Sequence, residues 1–202
     1  MCGIFGFVGS KTDISIIELI GIEAAKRGPQ AWGVAWPQEN EMNVYKQEKK
    51  FDTKEMQKLK KILTDNAVSA MVGNCRLSTS GTFENENNNQ PMVLSNITIS
   101  HNGNVPKYQH IADEYNIKLN TECDSEIICH MVNADGIERT INQLSSSGPI
   151  ALLILQDNKI TAFRKGQPLY VLERDGCFYF CSRKFLNAKS LEEGRIVTFG
   201  GA

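Results

Sequence analysis

Residues 1–10, Met1-Cys2-Gly3-Ile4-Phe5-Gly6-Phe7-Val8-Gly9-Ser10, hold a short apolar run that ends on a Gly-Ser turn signal. A run of that length bounded by turn residues predicts a buried strand over residues 3–8. It is too short to cross a membrane, and it lacks the basic start and small-residue cleavage site of a leader peptide. Its glycines at 3, 6 and 9 are spaced for close backbone packing rather than for a phosphate loop. Ser15, with Glu18 three residues later, makes a capping-box pattern ahead of an apolar segment that runs to Lys26 and stops at Gly28-Pro29. The chain therefore opens as strand, turn, helix.

Working outward, strands are predicted over 32–36 and 42–46, joined by the polar turn 37–41, with an amphipathic helix carrying a solvated lysine face over 46–63. Residues 68–75 form another apolar run that leads straight into Arg76-Leu77-Ser78-Thr79-Ser80-Gly81. Residues 83–92, rich in Asn and closed by Pro91, read as a surface loop able to act as a lid. A strand over 97–101 runs into Asn102-Gly103, and helical patterns follow over 107–115, 125–132 and 137–144. After Pro149, strands are predicted over 150–155, 159–164, 169–174, 177–181 and 195–199, with Asp157-Asn158 and Asp175-Gly176 as hairpin turns. Helices grouped between strand-rich ends predict an α+β chain in which helices cover antiparallel sheets. The 202 residues suit one domain, 1–202, that buries about 70% of the surface its unfolded form exposes.

Composition narrows the function. Lys plus Arg total 22 and Asp plus Glu 23, and the net charge of −1 gives no electrostatic reason to expect nucleic acid or a membrane surface as partner. With no membrane-length apolar run, the expected location is cytoplasmic. Six cysteines without a C-x-x-C pair suit reduced thiols rather than a disulfide framework. His101, His110 and His130 form no metal-ligand spacing, so no metal is expected.

Cys2 stands apart. Removal of Met1 would free its α-amine, whose ordinary pKa of about 7.7–8.0 lies close to the thiol value of about 8.5. A nucleophile at a chain terminus can thus carry its own base. As a plain alternative, Cys2 is a small residue that begins a strand.

Several short segments occur in a telling order: Met1-Cys2-Gly3-Ile4-Phe5-Gly6, Arg27-Gly28-Pro29-Gln30, Arg76-Leu77-Ser78-Thr79-Ser80-Gly81, Gln90-Pro91, His101-Asn102-Gly103-Asn104, Asp124-Ser125-Glu126 and Leu191-Glu192-Glu193-Gly194-Arg195-Ile196-Val197. Together they resemble the class II glutamine amidotransferases, in particular the glutaminase domain of amidophosphoribosyltransferase and glucosamine-6-phosphate synthase. The resemblance covers nearly the whole chain. It implies the four-layer αββα fold of the N-terminal nucleophile hydrolases, with two stacked antiparallel sheets. It also implies that Cys2 attacks the side-chain carbonyl of L-glutamine, that Asn102 and the Gly103 N–H form the oxyanion hole, and that no cofactor takes part. Such donors are typically worth about 3–4 kcal/mol each.

By the same resemblance Arg76 grips the α-carboxylate, for which a planar guanidinium is suited, Asp124 takes the α-ammonium, and Thr79 lines the pocket. Asp124 is also positioned to cap a helix over 126–132. Arg27 corresponds to a site-organising arginine, with a salt bridge at a helix end as the alternative. Leu77 departs from the aromatic residue of better-known members and Ser80 from their His or Ala. The familiar members continue into a synthase domain, so the expectation here is a subunit that supplies ammonia to a separate ammonia-accepting synthase protein. Two other readings stay open: a stand-alone glutaminase or other amide or γ-glutamyl hydrolase, and, if Met1 is retained, a non-catalytic regulatory subunit of the same fold.

Overall fold

The opening run forms β1 (Gly3–Val8), with all six residues buried. The structure is a computed structural model that describes residues 2–39 and 41–200. β1 lies inside a seven-stranded antiparallel sheet with β2 (Ala31–Gln38), β3 (Glu41–Gln47), β4 (Ala70–Arg76), β9 (Tyr170–Arg174), β10 (Cys177–Cys181) and β11 (Lys189–Ser190), in the order β11-β9-β10-β1-β4-β2-β3. A second antiparallel sheet joins β5 (Met92–Leu94), β6 (Ile97–Gly103), β7 (Ile150–Gln156), β8 (Lys159–Lys165) and β12 (Val197–Phe199), in the order β12-β8-β7-β6-β5.

Period-two alternation explains why two sheets and two helical layers are needed. In β1, Phe5 and Phe7 pack with Ile17 and Ile20 of α1 (Ile14–Ala25) and Leu59 of α2 (Thr53–Asp65). Ile4 and Val8 point the other way, into a core shared with Val72 of β4 and Ala151, Leu153 and Leu155 of β7. The opposite face of the second sheet, with Ile99, Leu152 and Ile154, is covered by α4 (Glu126–Asp135) and α5 (Ile137–Ser145), with α3 (Tyr108–Glu114) alongside. The layers are helix, sheet, sheet, helix, as expected.

The sheets are also pinned by polar contacts. Ser100 Oγ donates to Gly73 O at 2.8 Å, and Asn74 Nδ2 donates to His101 O at 3.3 Å, all between buried residues of β6 and β4. These bonds fix the slide of one sheet over the other.

Local details differ from the sequence reading. α1 is capped by Asp13, whose Oδ1 accepts from Ser15 N at 2.9 Å, so Ser15 is capped rather than capping. α2 starts at Thr53 rather than near Lys46, because β3 pairs with β2 as far as Gln47 and Asp52 caps the helix through Lys54 N and Glu55 N. The short strands β5 and β11 carry too little pattern to stand out. The hairpin turns at Asp157-Asn158 and Asp175-Gly176 adopt positive φ at all four residues, as two-residue turns between twisted strands require.

Ser100→Ala removes one inter-sheet pin without adding bulk. The expected cost is about 1–2 kcal/mol, read as a lower urea midpoint at unchanged slope.

Candidate active site

Three backbone segments converge where β1 begins. A Cβ on Gly3 would lie 2.0 Å from Ala24 O, and one on Gly28 would lie 1.8 Å from Cys75 O. Only glycine lets the head of β1, the end of α1 and the end of β4 pack this closely. Gly3 pairs with Cys75, so Cys2 sits one step further on, opposite Arg76. Alternation then directs Cys2, like Ile4, and Arg76, like Asn74, toward the second sheet. Asn102 follows Ser100 by two residues on β6 and faces back toward the first sheet.

Cys2 is half-buried, and its Sγ donates to Leu77 O at 3.6 Å. Burial pushes the thiol above its ordinary value, while the nearby Arg76 guanidinium pulls it down. At neutral pH this thiol is protonated and needs a base before it can attack. Arg27 Nε donates to Cys2 O at 3.1 Å and thereby fixes the backbone of the nucleophile candidate.

Arg76 is buried, and its guanidinium is occupied by the following turn. One terminal nitrogen donates to Asn89 Oδ1 at 3.1 Å, and the other to Ser80 O and to Gly81 O at 3.2 Å. Asp124 is buried as well; its Oδ2 accepts from Val105 N at 2.7 Å, and Oδ1 lies 3.4 Å from Ser80 Oγ. The helix-cap alternative for Asp124 fails, since Ser125 occupies the cap of α4 and makes no side-chain cap bond. Ser80 bridges the two opposite charges, with its carbonyl on Arg76 and its hydroxyl on Asp124. Thr79 is exposed in the same turn.

Asn102 is fully buried, with Nδ2 donating to Gln167 Oε1 at 3.0 Å. Gly103 has φ +158°, and a Cβ there would lie 2.7 Å from His101 Nε2 and 2.9 Å from Pro149 O. His101 points to the helical side, where Nδ1 lies 2.9 Å from Ser125 Oγ; burial lowers its pKa.

Some contributors were invisible in the sequence. Residues 83–92 read as a surface loop, yet Asn88, Asn89 and Gln90 are buried. Asn88 Nδ2 donates to Thr82 O at 3.1 Å and Glu122 Oε2 at 3.0 Å, and Asn89 Nδ2 donates to Phe83 O at 2.8 Å. Gln90 stands in for a strand, accepting from His101 N at 2.7 Å and donating to His101 O at 3.1 Å. Gln30 Oε1 accepts from Ser78 N at 2.6 Å and tethers the turn after Arg76. An Asn-rich composition predicts polarity; it cannot reveal that the amides face inward. Among the described residues, no group of three His, Cys, Asp or Glu side chains could hold a metal ion, and no helix is long and apolar enough to cross a membrane.

Two stacked antiparallel sheets between helical layers, with a cysteine heading an inner strand, define the N-terminal nucleophile hydrolase class of fold. The model of a glutamine amidotransferase domain family matches residues 74–187, and the chain belongs to that family. It is 30% identical over 186 residues to a glutamine–fructose-6-phosphate aminotransferase (isomerizing) of Bacillus thuringiensis subsp. konkukian, covering 85% of this chain and 30% of the relative. The enzyme of the same description from Bacillus subtilis is 27% identical over 188 residues, with the same coverage. The chain thus spans under a third of the length of these curated relatives.

Among solved structures, the glutamine phosphoribosylpyrophosphate amidotransferase of B. subtilis superposes with a TM-score of 0.73 at 19% identity, covering 98% of this chain and 47% of that one. A glutamine aminotransferase class-II domain protein from Silicibacter pomeroyi gives 0.65 at 14% identity, with coverage of 98% and 94%. At these identities the likeness concerns the fold.

Asn89→Ala takes an acceptor from Arg76 and a staple from the loop. Amide hydrogen exchange is expected to rise across residues 80–88 while β1 and β4 keep their protection.

Proposed function

We propose that this chain releases ammonia from L-glutamine through a Cys2 thioester. The observation that carries the reading is the shared position of Cys2 and Arg76 at one end of the first sheet, facing the Asn102-Gly103 end of the second. After removal of Met1, which lies outside the described residues, the α-amine takes the thiol proton and Sγ attacks the side-chain carbonyl carbon. Charge develops on the carbonyl oxygen, toward the Asn102 carboxamide and the Gly103 N–H. The tetrahedral species collapses by breaking the C–N bond, and the same proton leaves with ammonia. Water then cleaves the γ-glutamyl thioester to glutamate and returns the thiol.

Arg76 and Asp124 serve as the clamp for the carboxylate and ammonium of the amino acid. Their present partner is Ser80, whose carbonyl and hydroxyl take positions of the kind an amino-acid head group would. Glutamine therefore binds by replacing or joining Ser80, with Thr79 as a further lining residue. The ammonia then serves an acceptor reaction on a synthase, as the aminotransferase description of the Bacillus relatives suggests. Ser80 also favours a second reading, hydrolysis of another amide with a different head group, because it alters the surface that meets that group.

The test is release of ammonia from glutamine and asparagine, and of the amine from N-substituted γ-glutamyl amides, with N-terminal processing read by intact mass. Cys2→Ala is expected to abolish turnover, and Asn102→Ala to lower kcat by about 100- to 1,000-fold. Full activity of Cys2→Ala would end the reading, and a preference for another amide would favour the second one. A separate check concerns the thiol. Because burial raises its pKa, iodoacetamide should alkylate Cys2 slowly at pH 7 in a chain that keeps Met1, faster as pH rises, and faster at pH 7 once Met1 is gone. Equal rates for the two forms at pH 7 would remove the α-amine from the mechanism.

A further inference from the structure

The closing motif Leu191-Glu192-Glu193-Gly194-Arg195-Ile196-Val197 has no part in the chemistry described so far, yet it meets the turn that carries Gln167. Leu191 N donates to Leu169 O at 2.9 Å and Gly194 N donates to Arg164 O at 2.9 Å, so residues 191–194 hold the 164–169 turn at both ends. Arg164 is the strut between them. Its Nε donates to Leu191 O at 2.7 Å, NH1 donates to Gln167 O at 3.2 Å, and NH2 lies 3.3 Å from Glu193 Oε2. Glu193 Oε1 accepts in addition from Gly166 N at 2.8 Å, where the chain turns at φ +67°. The product of this bracket is one buried contact, Asn102 Nδ2 to Gln167 Oε1 at 3.0 Å.

We propose that Gln167, held by the Arg164–Glu193 bracket, is a positioning residue that orients the Asn102 carboxamide for the reaction. The inference rests on the glutaminase reading. A carboxamide rotates easily about its terminal torsion and presents opposite chemistry on its two ends. Turned one way it offers N–H protons to a developing oxyanion; turned the other way it offers a carbonyl oxygen that repels it. With its oxygen turned to Asn102, Gln167 accepts the amino end and so favours the orientation that offers N–H protons to the oxyanion. It takes one of the two Nδ2 protons and leaves the second for the substrate. Among the described residues no hydrogen bond reaches the buried Asn102 Oδ1, so the contact with Gln167 is what orients this carboxamide. Preorganised donors of this kind act on the barrier rather than on ground-state binding.

Gln167→Leu removes the acceptor while keeping a side chain of similar length that tolerates burial, and the Gln167 carbonyl still receives Arg164. Four chains are compared in glutaminase assays: wild type, Gln167→Leu, Asn102→Ala and the double variant. The melting temperature and the side-chain Nδ2 resonances of Asn102 are followed in parallel. The expected result is a kcat for Gln167→Leu lowered by about 10- to 100-fold, with KM within about two-fold of wild type. Because Gln167 acts through Asn102, the double variant should be no slower than Asn102→Ala alone. The Asn102 amide protons should exchange faster in Gln167→Leu at a comparable melting temperature.

Wild-type kcat in Gln167→Leu, a loss confined to KM, or full additivity with Asn102→Ala would each overturn the role of Gln167 while leaving the glutaminase reading intact. A processed wild-type chain that releases no ammonia from any amide would overturn both readings, whether or not the Asn102 resonances report the contact.

Discussion

The hydrogen bonds from Ser100 Oγ to Gly73 O and from Asn74 Nδ2 to His101 O govern the arrangement of the whole candidate site. Apolar side chains alone would let two sheets slide, since an interface of Ile, Leu and Val is forgiving of small translations. Buried polar groups are not forgiving, because each loses its partner on a shift of about 1 Å. By tying β4 to β6 within three residues of Arg76 and Asn102, these bonds bring the candidate-site ends of both sheets to one level. Gln90 reinforces the same point by bonding both backbone polar groups of His101.

The immediate surroundings of Cys2 follow from close packing. Gly3 and Gly28 give up their side chains so that three backbone segments can meet, which leaves the thiol half-buried and its pKa raised. A buried thiol without a base is inert, and no histidine takes that part: His101 is turned toward Ser125 on the helical side of its sheet. In the proposed reaction the base is therefore the free α-amine of Cys2.

In the proposed clamp both charges are already satisfied by neighbouring loops. Arg76 and Asp124 are both buried, and burying either charge alone would be costly. Ser80, Gly81, Asn89 and Val105 satisfy them. The same polar contacts that make burial tolerable also hold the turn after Arg76, so on the proposed function binding is an exchange of partners rather than the filling of an empty slot.

Much of the fold was legible from local signals. Apolar runs bounded by Gly and Pro marked β1, β4 and β7; the Asp-Asn and Asp-Gly pairs marked the hairpins; and the ordered short motifs pointed to Cys2, Arg76, Asn102-Gly103 and Asp124. Those signals are local because strand burial and turn geometry depend on residues next to one another. What only the tertiary structure decided involves partners that no local pattern announces: the inward turn of Asn88, Asn89 and Gln90, the contact of Ser80 with Asp124 across 44 positions, and the meeting of Gln167 with Asn102 across 65. An amide side chain has no periodicity to betray its partner. Its direction is settled only when the two sheets are stacked and a buried donor must find an acceptor.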